Sequence, residues 1–180
     1  MCPAVVIRPL AEEVMPGIEV RQLEFANPLD RVEMLAEQRH WPLDRMSEHE
    51  AVMTINGGWC NLELSLAWRD ELELLQSTCS FDLRVPVPRR TEVMRLVCFI
   101  NARLVQGHFD FWPGEGTILF RHALSLAGAA EANESQCDGL IREGLANCQR
   151  YYPAFQLVIW AGHSAEKALD HALLETVGQA

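Results

Sequence analysis

Two side chains able to take a metal stand one residue apart in His108-Phe109-Asp110, with Glu115 in the turn behind them. Residues at i and i+2 of a strand share a face, so His108 and Asp110 can reach toward one ion. A zinc centre normally takes about four ligands, so the pattern predicts a wet strand face with no metal. His163 and His171 flank a last helix and read as surface residues, and the H-E-x-x-H pair of zinc proteases is absent.

Nucleophilic chemistry finds no better footing. The six cysteines, Cys2, Cys60, Cys79, Cys98, Cys137 and Cys148, include no C-x-x-C pair. Cys60, Cys79 and Cys98 fall on expected core faces, where burial raises a thiol's pKa and dulls it. Cys2 is the thiol expected to be exposed. No G-x-S-x-G occurs. Gly114-Glu115-Gly116 lies between two antiparallel strands and opens no helix, so it reads as a hairpin turn, not a phosphate cradle. No catalytic residue, metal or cofactor is expected, and the chain is not read as an enzyme.

Two polar residues occupy demanding places. Asn101 lies in a helix close to its apolar face, and Arg121 lies on a strand beside Phe120. The expectation is a structural hydrogen bond for the first and an ion pair with a Glu of the neighbouring strand for the second. The competing account makes them a ligand-facing pair. Among the five tryptophans, Trp68 has the buried parity, whereas Trp59 and Trp112 have the opposite parity from their strands' core residues. Exposed Trp anchors contact surfaces; packing under the tail or the last helices is the other account. The residues expected to bind a partner are Trp59, Glu63, Trp112 and Arg121. A second reading places a small-ligand or metal-binding sensor or enzyme site near His108, Asp110 and Arg121.

These residues need elements to hold them. Residues 1–26 read as an N-terminal tail with one short extended piece at Ile18 to Leu23, and 27–180 as a single domain. Asn27-Pro28 opens a helix with Leu29, Val32, Leu35 and Ala36 on one side, stopped by Pro42. Ala51 to Ile55 is a first strand, and Asn56-Gly57-Gly58 a tight hairpin with positive φ. Cys60, Leu62, Leu64, Leu66 and Trp68 alternate with polar residues as a second strand. In the third, the apolar parity moves from Leu72 and Leu74 to Leu75, Cys79, Phe81 and Leu83, which predicts a β-bulge near Leu74-Leu75. Thr91 to Val105 is a helix closed by Gly107. Two strands follow, with Phe109 and Phe111, then Ile118, Phe120, Leu124 and Leu126, facing inward. From Ser135 helical spacing runs straight through Pro153, predicting one long helix kinked there. Ser164 caps a final helix. The fold expected is α+β, a five-stranded antiparallel sheet with helices packed on one face, in the order α-β-β-β-α-β-β-α-α.

Composition narrows the partners. Fifteen Lys+Arg against 25 Asp+Glu give a net charge of −10. Such a surface repels phosphates, so neither nucleic acid nor an anionic membrane is expected as a partner. The N-terminus has no signal-peptide pattern, and the expected location is the cytoplasm.

Three stretches carry a resemblance: NPLDRVEMLAEQRHW from Asn27 to Trp41, GGWCNLELSLAW from Gly57 to Trp68, and INARLVQGHFDFWPGEGTILFRHALSL from Ile100 to Leu126. In that order they resemble the YbjN family, a bacterial group of sensory transduction regulators. The closing run from Tyr151 to Ala180 looks like the version in alphaproteobacterial members. The resemblance implies a fold like that of type III secretion chaperones. Those are small, acidic, cytoplasmic proteins, usually homodimers, that hold segments of other proteins. It supplies no catalytic residues. The function expected is a non-enzymatic, protein-binding module of regulatory or chaperone-like type, with another protein or a second copy of itself as partner.

Overall fold

The structure, a computed structural model, describes residues 27–128 and 130–177. Asn27 caps α1 (Pro28–Arg39), its side chain accepting from the Leu29 N–H at 3.0 Å. The expected stripe of Leu29, Val32, Leu35 and Ala36 is buried. His40 takes a left-handed φ of 55°, and the Trp41 N–H turns back to the Ala36 carbonyl, which ends the helix.

The sheet is antiparallel throughout. Its strands are β1 (Leu43–Arg45), β2 (Glu50–Asn56), β3 (Asn61–Arg69), β4 (Leu74–Arg84), β5 (His108–Trp112) and β6 (Thr117–Ser125), in the order β1-β2-β3-β4-β6-β5. The sixth strand, absent from the sequence reading, is β1. Three residues are too few to show a period. Arg45 fastens it to α1, with Asp30 and Glu33 each 3.3 Å away.

Two turns differ from expectation. Residues 57–60 form a loop between Asn56 and its partner Asn61, and neither Gly57 nor Gly58 has positive φ. Gly57 is needed for closeness instead: a Cβ there would stand 2.7 Å from the Cys60 carbonyl oxygen. The parity change near Leu74 is no bulge. Residues Asp70–Leu72 are a 3-10 turn outside the strand, and β4 alternates cleanly from its first residue. The true irregularity lies at the other end, where β4 slips against β6 between Ser80 and Arg84.

After β4 comes α2 (Arg90–Asn101), ending short of the expected Val105. Val93, Leu96, Val97 and Ile100 face the core, but Cys98 is on the far side and exposed, contrary to the sequence reading. Asn133 and Gln136 form a reciprocal capping box at the start of α3 (Glu134–Ile159). The helix runs through Pro153 as one element, as its spacing predicted. Arg89 ties its far end, donating to the Val158 carbonyl at 2.7 Å and the His163 carbonyl at 3.0 Å. In α4 (Ala165–Val177) Ala165, Ala168, Leu169 and Ala172 are buried among the described side chains, and Ser164 accepts from the Lys167 N–H at 3.4 Å.

The described helices all pack on one side of the sheet. Gly144 lets α3 settle onto it: a Cβ there would meet Cys79 Cβ at 3.3 Å and Leu64 Cδ1 at 3.4 Å. Phe109 and Phe120 of the sheet stack edge-on, and Tyr151 and Phe155 of α3 close over Phe109. Then α1 packs against α3 and β3, and α4 rests on α2 and α3.

Candidate functional site

The other face of the sheet carries no helix among the described residues. Strand parity places small polar side chains over its middle, including Ser65, Thr78 and Ser80. At the end where β2 meets β3, the slip of β4 against β6 opens a cleft of about 310 Å³. Thr54, Asn61, Glu63, Ser80, Asp82 and Thr117 are among the residues lining it. Arg84 also borders it, but its guanidinium is held by the Thr117 hydroxyl at 2.8 Å and the Glu115 carbonyl at 3.2 Å. Glu63 and Asp82 have no ion-pair partner among the described residues.

The four residues expected to bind a partner are only partly brought together. Glu63 lines the cleft. Trp112, 43% exposed, is the cross-strand partner of Thr117 on the cleft wall. Trp59 is 57% exposed, but it belongs to the 57–60 loop, so strand parity does not apply to it. Arg121 lies further along β6, and its partner is Asp110 at 3.6 Å where the sequence reading expected a Glu. With its oxygen turned toward Arg121, the Gln76 amide accepts from Nη2 at 2.8 Å and Nε at 3.2 Å. Sequence reasoning missed Asp82, Asn61 and Thr54. The cleft arises from a slip between strands distant in sequence, and no local pattern announces it.

The second reading fares less well. His108 and Arg121 are cross-strand partners and line a shallow recess of about 410 Å³ with Gln76 and His122. Asp110 is already occupied, however. One oxygen accepts from the Phe111 N–H at 2.9 Å, and the other from Trp112 Nε1 at 3.1 Å. No group of three or more His, Cys, Asp or Glu is placed to hold a metal among the described residues. Asn101 is not aimed at Arg121. Its amide donates to the Phe109 carbonyl at 3.0 Å and accepts from the Phe109 N–H at 2.8 Å, the structural role expected of it.

Of the three cysteines expected on core faces, Cys79 is buried, Cys60 is half-buried and Cys98 is exposed; Cys137 and Cys148 are buried as well. Burial pushes the Cys60, Cys137 and Cys148 thiols above their ordinary value. Cys2 and the extended piece at Ile18 to Leu23 lie outside the described residues.

A family model described as "YbjN: Putative bacterial sensory transduction regulator" matches residues 28–157. The chain belongs to the YbjN family. Its fold is similar to one solved structure, "Crystal structure of YbjN, a putative transcription regulator from E. coli". The TM-score is 0.50 at 10% identity, over 74% of this chain and 90% of that one, which shows a shared fold alone. The structure titled "Crystal Structure of the ExsC-ExsE Complex" aligns at 16% identity with a TM-score of 0.48, over 67% of this chain and 92% of that one, too loosely to argue from. No curated protein matches the sequence. No described helix is long and apolar enough to cross a membrane.

Proposed function

We propose that this YbjN-family chain is a non-enzymatic, cytoplasmic protein-binding module of regulatory or chaperone-like type. Its 27–180 domain follows an N-terminal tail of residues 1–26. The helix-free sheet face receives another protein or a second copy of the chain, with Trp59, Glu63, Trp112 and Arg121 at or beside the contact. One observation carries the reading: the described helices share one side of the sheet, while the other side presents a cleft lined by Glu63, Asp82 and Arg84, with the partly exposed Trp112 on the neighbouring edge strand. The regulatory description of the family agrees with it. The net charge of −10 disfavours nucleic acid and anionic membranes as partners.

Co-purification from the native host, with size-exclusion chromatography and light scattering, tests this. Trp59→Ala combined with Trp112→Ala is expected to lose the co-purifying protein, or to lower the mass of a self-assembled species. Unchanged partners and unchanged mass would remove the basis for this surface.

A further inference from the structure

We propose that Asn56 is a site of spontaneous modification, at which the side-chain amide leaves as ammonia and a carboxylate takes its place. The inference goes beyond the docking reading and stands without it. The chain has six asparagines, and hydrogen bonds hold four of their side chains. Asn27 accepts from the Leu29 N–H and donates to the Glu48 carbonyl, and Asn101 bonds Phe109 twice. Asn133 accepts from the Gln136 N–H, and Asn147 donates to the Glu143 carbonyl. Asn56 and Asn61 are exposed and stand opposite one another as the last pair between β2 and β3. Among the described residues no hydrogen bond holds either of these two side chains.

The residue that follows separates them. Loss of the amide begins when the next backbone nitrogen attacks the asparagine Cγ. Asn61 is followed by Leu62, a buried residue inside β3 whose backbone is fixed there. Asn56 is followed by Gly57, outside the ladder, with no side chain to obstruct the attack and a wide range of φ and ψ in which to make it. The fold also demands that glycine, since a Cβ would stand 2.7 Å from the Cys60 carbonyl oxygen. The Gly57 N–H donates to the same carbonyl at 2.9 Å. This bond must open before attack, and it lies where the strand pair ends, the place where local opening costs least.

The bond from the Gly57 nitrogen to Cγ then forms as the Cγ–Nδ2 bond breaks, and the departing ammonia carries away the Gly57 amide proton. Water opens the cyclic imide at either carbonyl. One product is aspartate. The other is isoaspartate, whose main chain gains a methylene and shifts the 57–60 loop. Both add a negative charge opposite Asn61, which lines the cleft with Glu63.

The test ages the full chain in mildly alkaline buffer at body temperature and locates mass changes residue by residue with fragmentation mass spectrometry. Asn56 is expected to gain about one dalton before any other asparagine does, in separable aspartate and isoaspartate forms. Asn56→Gln should abolish that gain, and Asn61→Gln should leave it in place. The proposal is overturned if another asparagine reacts first, or if the gain persists in Asn56→Gln. It is also overturned if Asn56 reacts in the urea-unfolded chain but not in the folded one, which would make the bond to Cys60 a lock.

Discussion

His122 shows how a single residue ties folding to pH. It sits on the helical side of β6, opposite Ser77, and is half-buried. Burial holds its imidazole below the ordinary 6.5; the Glu143 carboxylate opposes this and His108 adds to it. Because the folded pKa lies below the unfolded one, the folded chain binds fewer protons through that window. The stability is therefore complete above about pH 6.5 and declines as the pH falls through the folded pKa. Urea unfolding from about pH 7 to about pH 5 should show a slope that His122→Gln flattens. An identical slope in the variant would mean that other groups set the dependence. Single residues were unevenly legible in the sequence. Asn101 stood out because an amide beside an apolar helix face needs partners, but the partner was hidden by the turn that brings Phe109 back to it. Arg121 plainly needed an anion. Which one depended on the β5–β6 register, where Leu119 faces Asp110 and His108 faces Arg121.

At the scale of elements, long periodic segments could be read directly. The stripes of α1 and α3 and the alternation of β3 are local patterns, each repeated enough times to be unambiguous. The failures share another cause. Strand β1 is too short for a pattern, and Leu72 and Leu74 were assigned to one strand although a 3-10 turn separates them. The cleft depends on how β4 meets β6, a contact between strands separated by α2 and β5. The seating of α3 was likewise invisible, since Gly144 reads in sequence only as a weak helix former. In the fold it sets how near the helix comes to Cys79 and Leu64. Gly144→Val is expected to push the two apart and to lower stability by about 1–3 kcal/mol in urea unfolding. A neutral result would show that the helix can ride up without loss.

Across the whole molecule, a sheet with no helix on one face among the described residues raises the question of its borders. The outermost strands are β1, only three residues long, and β5. On β5 the Phe109 N–H and carbonyl are both taken by Asn101, and the Phe111 N–H by Asp110. Asn101→Ala should cost about 1–3 kcal/mol. It should also produce large species in light scattering as concentration rises, which an equally destabilised Gly144→Val does not. Equal scattering from the two variants would assign the effect to lost stability alone. A bare strand edge is where amyloid-like stacking begins, and along β5 the Phe109 N–H and carbonyl and the Phe111 N–H that would template it are already held by the chain's own side chains.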